Sequence, residues 1–538
     1  MRNPLTSPIA VIIQAELLFN LKRVAPRVLI VLFGLNAMLW WGGASVHFGW
    51  ASNSDFYIIR LFCGFSFLTA PFFVALLMGD AVARDLRLEV HSLLFSSPIN
   101  RAEYVLGKFF GNFLVVIGCF AGFALAAFLL QWVHWPGIIL LPWSGVPFIK
   151  HFVMFVVVTN LVTAVFCFAV GTVTRNAKLV YGLVVVFYVL YISIFATLSH
   201  TAPRLALVLD PFLPDLGNRI GRGLAPEAIN QMTIVYGADL WANRAVMLGA
   251  AAICLTILCR RFSIEERRSR RSAPTLLSLI EPAELIGQSY EDNSNAGFIA
   301  IRPIEIIPVG PSLPIPHVSV LTKVPRASLA QFAAAIGAEF RLLKSERSLI
   351  VIGPLAVLAC VLELSPAGTA PVASGYAANS AQTLLLILFG VTLFYAGEMM
   401  HRDREWRVDA LLWSAPAPDW VLLLSKFAAT LLLALALMAA TAMTAATLHL
   451  VRDSASVEVW PYFLVYSIIL WPTVIFMAGA TITLHAVLRD KYLAHAVGLG
   501  LGGGLIYLLM QGGVNRLCNP ALSRLWTYDD LVRTIAVS

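Results

Sequence analysis

Two charged segments of the chain match each other and hold the residues most suited to a chemical role. Gly79–Phe109 aligns without gaps to Gly397–Phe427, and each contains an acid after the first glycine, an Arg-Asp pair and a late lysine. Mixed charges in such a loop suit docking of a protein partner, because charges at an interface rim steer association more than they stabilise a fold. The candidate docking residues are Arg84, Asp85, Arg87, Glu89, Arg402, Asp403, Glu405 and Arg407.

The acid and the lysine of each segment stand where charged sequence meets apolar sequence. Asp80 and Glu398 end one apolar run, and Lys108 and Lys426 open the next. We therefore predict that these four residues lie at the inner ends of membrane spans. A simpler alternative is that the matched basic residues only anchor the loops at the membrane surface.

The motifs of two familiar enzyme classes are missing from the sequence. No His-Glu-x-x-His occurs, and the single Gly-Lys pair, Gly107-Lys108, is followed by Phe109 rather than by Ser or Thr. Six of the seven cysteines lie in apolar runs without metal-site spacing. We expect no catalytic residue, no metal site and no cofactor in this chain.

The composition identifies the kind of molecule that must position these loops. Of 538 residues, 59% are hydrophobic and 13% are charged, and the mean hydropathy is +0.80. A soluble domain has about 25% charged residues, and a disordered chain is more polar still. The sequence therefore predicts an all-α polytopic membrane protein. Its net charge of +8 is typical of basic cytoplasmic loops, and we expect no nucleic-acid partner.

Apolar runs of about 20 residues, the length needed to cross a bilayer, divide into six and then five. The first half contains spans one to six, at Val28–Val46, Phe56–Met78, Tyr104–Leu130, Phe152–Val173, Leu179–Leu198 and Trp241–Cys259. The second half contains spans seven to eleven, at Leu349–Leu364, Ala381–Met400, Trp420–Leu450, Trp460–Leu488 and Tyr492–Met510. Span six is short, so we expect Arg244 to extend along it towards the membrane surface.

Basic residues occur in alternate loops, and this sets the expected orientation. The sequence after span six, Arg260–Arg271, is strongly basic, whereas Gln131–Val146 and Pro366–Asn379 contain no Lys or Arg. By the positive-inside rule the N-terminus is cytoplasmic. The tryptophans of the opposite loops form the expected interfacial belt: Trp40, Trp41, Trp132, Trp135, Trp143 and Trp460.

The matched segments predict an internal repeat of the same sidedness, since an even number of spans separates them. Residues 1–260 form the first half, 261–330 a cytoplasmic linker, and 331–538 the second half. Ala15-Glu16 and Ala338-Glu339 precede the two halves in the same way. The fold expected is two parallel-repeat helical bundles of 6 + 5 spans, with a pathway between them. A small strand pair near Ile304–Val309 and Val318–Leu321 is an alternative within the linker.

At this point the sequence resembles ABC-2 type transporter permeases. The resemblance rests on six spans, an N-terminal amphipathic helix, the Ser96–Arg101 turn, and Gly107-Lys108 opening span three. It implies that Ala83–Phe95 and His401–Trp413 are coupling helices that receive ATPase subunits. It also implies short helices in Ser199–Asp239 that cap the pathway on the outer side.

A subgroup of that family is more similar still: two six-span halves joined by a linker and followed by an M1-type aminopeptidase. Here the peptidase motif is absent, and the sequence ends where a twelfth span would begin. Three alternatives stay open: the chain is naturally shortened, it is cut, or another polypeptide supplies the twelfth span. Besides ATPase subunits carrying ATP and Mg²⁺, the resemblance thus allows two further partners, that polypeptide and a peptidase domain. Membrane lipid is a separate expected partner, because the basic cluster Arg260–Arg271 suits anionic lipid.

The function predicted is the permease subunit of an ABC transporter in a bacterial inner membrane, with export as the implied direction. Two alternatives stay open. One is a membrane scaffold that anchors a partner such as a peptidase. The other is an ion-coupled carrier, which is disfavoured because the spans lack deeply placed acid pairs. Copurification with an ATPase would separate the first reading from both alternatives.

Some residues within the spans are interpreted as packing positions. Gly498, Gly502 and Gly504 make one face of span eleven dense in glycine, which favours close helix contact. A substrate groove is the alternative for this face. His485, in span ten, is likewise interpreted as a packing residue rather than part of a proton relay.

Overall fold

A computed structural model describes most of the chain. The described residues are 7–41, 49–87, 99–133, 136–262, 324–364, 372–409, 412, 417–453, 458–510, 526–529 and 534–537. The chain divides into two compact units, one made of Met1–Phe262 with Ser328–Ser538 and the other of Ser263–Ala327. The predicted linker 261–330, with its alternative strand pair, lies almost entirely outside the described residues.

The first half is helical, with one helix before the spans, the predicted amphipathic one, and three short helices in the outer segment 199–239. The amphipathic pattern of the first helix is weak, because it buries Glu16 and Asn20 and exposes Val11, Leu18 and Leu21. The helices of the first half are Pro8–Lys22, Val24–Trp41, Asp55–Leu68, Ala70–Met78, Ala83–Arg87, Arg101–Leu129, Val146–His151, Val158–Thr174, Ala177–Thr201, Pro203–Leu209, Leu216–Gly221, Pro226–Gln231 and Ala238–Arg261. A 3₁₀ turn, Leu130–Trp132, and a π-helical segment, Phe152–Val157, extend two of them.

The second half begins with an amphipathic helix of its own, ahead of span seven. Its helices are Val324–Ser345, Arg347–Glu363, Ala373–Val391, Gly397–Glu405, Asp419–Asp453, Val459–Leu464, Trp471–Leu488 and Lys491–Met510, with π-helical segments at Thr392–Ala396 and Val465–Leu470. Spans four and ten both contain a π-helical segment near their start. Both also end at an arginine in the left-handed region, Arg175 at φ 54° and Arg489 at φ 56°.

A helix lies over each of the eleven predicted spans, but fewer qualify as membrane-crossing by length and composition alone. Among the described residues seven do, or up to nine if each bent pair is one span. Span two is bent by 49° between Leu68 and Ala70, and the second amphipathic helix meets span seven at 76°. A polytopic helical membrane protein is confirmed, while the division into six and five stays a prediction.

Aromatic side chains form the core of the first half. Phe33 packs edge-on against Phe73, with ring centroids 4.7 Å apart, and Phe65 stacks on Phe123 at 4.1 Å. All four are at most 2% exposed. These contacts join spans one, two and three into one bundle.

The two halves meet along spans five and eight, within the larger compact unit. Tyr181 stacks on Phe394, with ring centroids 4.7 Å apart. Gly390 lies against Val185, and a Cβ added at this glycine would overlap the valine side chain. The absence of a side chain at this position therefore allows close approach of the halves.

One element departs from the all-α prediction. Trp526–Asp529 and Thr534–Val537 form an antiparallel strand pair, in which Trp526 pairs with Val537 and Asp529 with Thr534. The Trp, Thr, Tyr, Ile and Val residues of these strands are types enriched in β-structure. The pair was not predicted because each strand is only four residues long.

Candidate functional site: buried charge clusters and the contact between the halves

The first charge cluster consists of Glu16, Arg84, Asp85 and Lys108. The Glu16 carboxylate accepts hydrogen bonds from Arg84 Nη2 and Lys108 Nζ, both at 2.5 Å. Lys108 also donates to Asp85 Oδ1 at 2.7 Å. All four residues are buried. The cluster thus joins the amphipathic helix, the end of span two and the start of span three.

The local sequence explains why Glu16 reaches this position. Ile12, Glu16 and Asn20 recur every four residues and form the buried face of the helix Pro8–Lys22. Span three presents Gly107 and Gly111 to that face, and an added Cβ at either would lie within 2.8 Å of Ile12 or Glu16. The glycines therefore let the helix approach closely enough for the carboxylate to reach Lys108.

The electrostatics of Glu16 follow from this enclosure. Burial alone raises the pKa of the Glu16 carboxyl, but Lys108 and Arg84 outweigh burial and hold the pKa below its ordinary value. Glu16 is therefore ionised in the folded protein at neutral pH.

The second charge cluster consists of Glu339, Arg402, Asp403 and Lys426. Glu339 accepts from Arg402 Nη2 at 2.6 Å and from Lys426 Nζ at 3.1 Å. Lys426 pairs with Asp403 at 2.8 Å. Each member occupies the position that its counterpart in the first cluster occupies, so the matched residues of the two halves make the same set of contacts.

The placement of these residues changes the interpretation drawn from the sequence. Arg84, Asp85 and Arg402 are buried, so they bind internal partners instead of presenting charge to a docking protein. The physical reason is that Glu16 and Glu339 draw the cations inwards, a long-range contact that loop spacing does not reveal. We revise these three residues from docking contacts to internal ties.

The remaining docking candidates differ in whether the structure describes them and in how exposed they are. Arg87 ends the helix Ala83–Arg87, and Glu89 lies outside the described residues, as does most of the predicted coupling helix Ala83–Phe95. In the second half, span eight continues as a helix to Glu405. Glu405 and Arg407 are exposed there, whereas Asp403 is half-buried.

A third set of contacts crosses between the halves at the end that carries the basic loops. Glu398 of the second half pairs with Lys178 of the first at 3.7 Å, and also with Lys491 of its own half. Asp80 of the first half accepts a hydrogen bond from the Tyr492 hydroxyl of the second. We call these contacts the cross-half network.

The cross-half network is reciprocal. Asp80 and Glu398 are matched positions, and Lys178 and Tyr492 each lie three residues after a matched arginine, Arg175 or Arg489. The acid of each half therefore contacts the equivalent position of the other half. Reciprocal pairing of this kind is what a two-fold interface produces.

Further charges extend the network on both sides. Lys178 also bonds Glu346 at 2.5 Å, ahead of span seven, and Lys491 bonds Glu405 at 3.1 Å. Arg23 lies over the ring of Tyr492, with its guanidinium carbon 4.0 Å from the centroid. The ends of several helices from both halves are thus tied together at one place.

Three histidines fill the space beside this network. His401 Nε2 lies 3.1 Å from His485 Nδ1, and the ring of His485 is edge-on to His495 with centroids 4.7 Å apart. A side chain at Gly397 would collide with His485 and His495. This explains the glycine before Glu398 and is consistent with the packing role predicted for His485.

The predicted glycine face of span eleven is only partly in contact with neighbours. A Cβ at Gly498 would lie 2.5 Å from Leu393 Cδ1, and one at Gly502 would overlap Phe389. Around Gly504 no described atom lies within 4 Å of that position. Two of the three glycines therefore sit at a close helix contact with span eight.

The sequence did not predict the role of four residues in this site: Glu16, Glu339, Lys178 and Tyr492. Glu16 and Glu339 were visible as a matched Ala-Glu pair, which was the available signal for their shared role. Lys178 and Tyr492 differ in type, so only their equal spacing after Arg175 and Arg489 links them.

At the end of the spans away from the cross-half network, Asp55 connects the outer segment to the spans. Its carboxylate accepts from the Ile234 amide at 2.6 Å and contacts His151 Nε2 at 2.5 Å. His151 Nδ1 lies 2.6 Å from the Tyr236 hydroxyl. Asp55 thus contacts the stretch before span six directly at Ile234 and, through His151, indirectly at Tyr236.

Replacing Asp55 by asparagine is expected to loosen this stretch by roughly 1.5–3 kcal/mol, the contribution of a hydrogen bond to a charged group. Limited proteolysis of the outer segment should then be at least tenfold faster. The matched control is Asp215→Asn, whose half-exposed pair with Arg219 contributes about 0–1 kcal/mol. Equal cleavage rates in both variants would contradict the assignment.

The helices and charge clusters together define a polytopic α-helical membrane protein with two halves closed against each other at one end. Residues 28–267 match the family described as ABC-2 family transporter protein. Over those residues the chain is similar to that family, which confirms the resemblance seen in the sequence for this part of the chain. Permeases of this family typically work with ABC ATPase partners. No curated protein matches the chain.

Proposed function

We propose that this chain is the permease subunit of an ABC-type exporter, that separate ATPase subunits drive it, and that substrate crosses between its halves. The observation that carries the proposal is the reciprocal cross-half network. Two halves that meet through matched residues can separate and close as rigid bodies, which alternating access requires. The family match of the first half supports the same conclusion.

The orientation proposed places the cross-half network on the cytoplasmic side of a bacterial inner membrane. The loops at that end carry the basic residues, and the positive-inside rule assigns them to the cytoplasm. In this orientation the described structure is closed towards the cytoplasm. ATP and Mg²⁺ would bind to the partner subunits, and hydrolysis would take place there.

The two charge clusters give this permease a means of transmitting force. Each cluster fixes an amphipathic helix to the end of one span and the start of the next through buried ion pairs. Removing one partner of a buried ion pair lowers stability by several kcal/mol. Because the pairs are this hard to break, the three elements should move together. A subunit that pushes on the loop would therefore move two spans at once.

The surface proposed to receive an ATPase is the exposed tip beyond span eight. Arg404, Glu405, Trp406 and Arg407 are exposed there, and the Trp406 side chain is 56% exposed. The buried Arg402 lies beneath this tryptophan, with its guanidinium carbon 5.3 Å from the ring centroid. An exposed tryptophan among arginines has the composition of an interface hot spot.

The test is purification of the tagged chain from its native membranes, with ATP hydrolysis measured in the eluate. We expect the parent chain to bring down a nucleotide-hydrolysing subunit. The double variant Arg404→Glu/Trp406→Ala should lose most of it, since hot-spot residues contribute about 2 kcal/mol or more, equivalent to a roughly 30-fold weaker affinity.

The control variant is Arg204→Glu, which reverses an exposed charge in the outer segment and should leave copurification unchanged. No ATPase with the parent chain would contradict the proposed function. An unchanged yield with the double variant would contradict this docking surface only. A copurified peptidase, or a polypeptide with one membrane span, would test the further partners that the resemblance implies.

A further inference from the structure

Arg244 is a buried cation inside span six. It lies six residues after Ala238, about 9 Å from the helix start at 1.5 Å per residue. The sequence predicted that its side chain would extend to the membrane surface, but it is only 2% exposed. The cause is the outer segment, whose carbonyls at Leu207, Val208 and Asp210 accept hydrogen bonds from Asn243 Nδ2 at 2.8–3.0 Å. This anchor covers the neighbouring arginine.

The guanidinium group is held in place by two first-half side chains. Nη1 donates to Thr159 Oγ1 at 3.1 Å, and the guanidinium carbon lies 5.1 Å from the centroid of the Phe155 ring. Among the described residues, Nε and Nη2 have no hydrogen-bond partner. The group is therefore oriented at one corner and unpartnered along one edge.

The acids near Arg244 are committed to other donors. Asp210 accepts from the Tyr191 hydroxyl at 2.6 Å and from the amides of Phe212 and Leu213 at 2.9 and 3.0 Å. Asp55, as described, is held by His151 and the Ile234 amide. None of the ion pairs among the described residues includes Arg244. Within the part of the chain that the structure describes, its charge is therefore not neutralised by a direct ion pair.

The chemistry of the unpartnered edge is specific. Nε–H and Nη2–H point in parallel from one side of the planar guanidinium, and this pair matches two oxygens of a carboxylate or phosphate. A buried arginine at membrane depth is expensive unless it is paired. An oxyanion is the group that satisfies both the geometry and the charge.

We propose that Arg244, oriented by Thr159 and Phe155, binds an oxyanion group, a carboxylate or a phosphate, at the outer end of the first half. The part of this inference that assigns the site to a permease rests on the proposed function. The group could belong to a soluble anion or to the headgroup of an anionic lipid, which share the same oxygens.

The experiment measures ligand-dependent thermal stabilisation of the purified full chain in neutral detergent. The probes are dioctanoyl phosphatidylglycerol and inorganic phosphate, and dioctanoylglycerol, which has no anionic group, is the control lipid. A shift with phosphatidylglycerol alone identifies a lipid headgroup, and a shift with both identifies a site open to soluble anions. No ATPase is needed, so this test can succeed when the test of the proposed function fails.

Arg244→Met keeps most of the side-chain volume and removes the positive charge and the two parallel N–H donors. We expect the half-saturating probe concentration to rise at least tenfold, while the unfolding temperature without probe stays equal or rises, since a buried unpaired charge is lost. Arg244→Lys keeps the charge without the bidentate edge, so it should recover only part of the binding. The control Arg204→Met removes an exposed outer arginine and should bind as the parent does.

Three results would overturn the proposal. One is a parent chain that neither anionic probe stabilises more than dioctanoylglycerol does. Another is an Arg244→Met chain that binds as tightly as the parent. The third is an unfolding temperature that falls by several degrees in Arg244→Met and in Arg244→Lys alike without probe, because a purely structural arginine predicts that loss.

Discussion

Replacing Glu16 by glutamine is expected to lower the stability of the folded protein by roughly 3–5 kcal/mol. The substitution leaves Arg84 and Lys108 buried with only Asp85 to balance them, and breaking one side of a buried pair carries a penalty of that size. The measurement is the unfolding temperature in detergent. Glu227→Gln, at an exposed site in the outer segment, is the matched control and should change it little.

A second substitution separates charge balance from loss of packing. In Glu16→Gln/Lys108→Met one acid and one base are removed together, which leaves Arg84 opposite Asp85. The double variant should therefore be less destabilised than the two single variants summed, because contacting residues in one network are not additive. Strict additivity would mean that the cluster does not act as a unit.

Lowering the pH should also destabilise the folded protein, but gradually. The pKa of Glu16 is lower in the folded chain than its ordinary value, so its stabilisation is complete above the ordinary carboxyl pKa. It is lost as the pH falls through that value towards the lowered one. Glu16→Gln should flatten this part of the stability curve, which thermal unfolding at a series of acidic pH values would measure.

Replacing Glu398 by glutamine is expected to open the halves at the end that carries the basic loops. Lys178 and Lys491 would keep their other partners but lose the shared carboxylate between them. If the loss is about 3 kcal/mol, as for a broken buried pair, the closed population falls roughly 100-fold relative to the open one. Both lysines would then face each other across the interface.

Spin labels at Thr174 and Arg404, exposed sites in opposite halves, would report the change as a longer and broader distance distribution. Glu405→Gln is a close control, because Glu405 bonds the same Lys491 but lies in the same half. Its distances should match those of the parent. A Glu398→Gln chain with the parent distribution would show that other contacts hold the halves together.

The sequence was sufficient for the helical class, because apolar runs of membrane length leave few alternatives. The placement of Asp80, Lys108, Glu398 and Lys426 at the inner ends of the spans stays a prediction, and three of these residues lie within longer helices. The strand pair Trp526–Asp529 and Thr534–Val537 could not be predicted, since two strands of four residues have no periodicity strong enough to separate them from loop sequence.

The partners of the charged residues were not predictable from spacing. Arg84 and Arg402 share a motif in exposed-looking loops, and only the packing of a distant amphipathic helix turns them inwards. Arg244 is a similar case, because its exposure depends on the outer segment that folds over it. Long-range packing decided each of these side chains, and periodicity does not report it.

The two contacts of the cross-half network are equivalent in position but differ in chemistry, and this has a consequence for how the interface responds to its surroundings. Two identical chains would have to make both contacts alike, whereas a single polypeptide can make one an ion pair and the other a phenol donating to a carboxylate. Salt weakens attraction between opposite charges more than a hydrogen bond with one neutral partner, and the effect on a pair as buried as Lys178–Glu398 is modest. Raising ionic strength should therefore weaken the Lys178–Glu398 contact before the Tyr492–Asp80 contact. The two sides of the interface between the halves would then open in a fixed order.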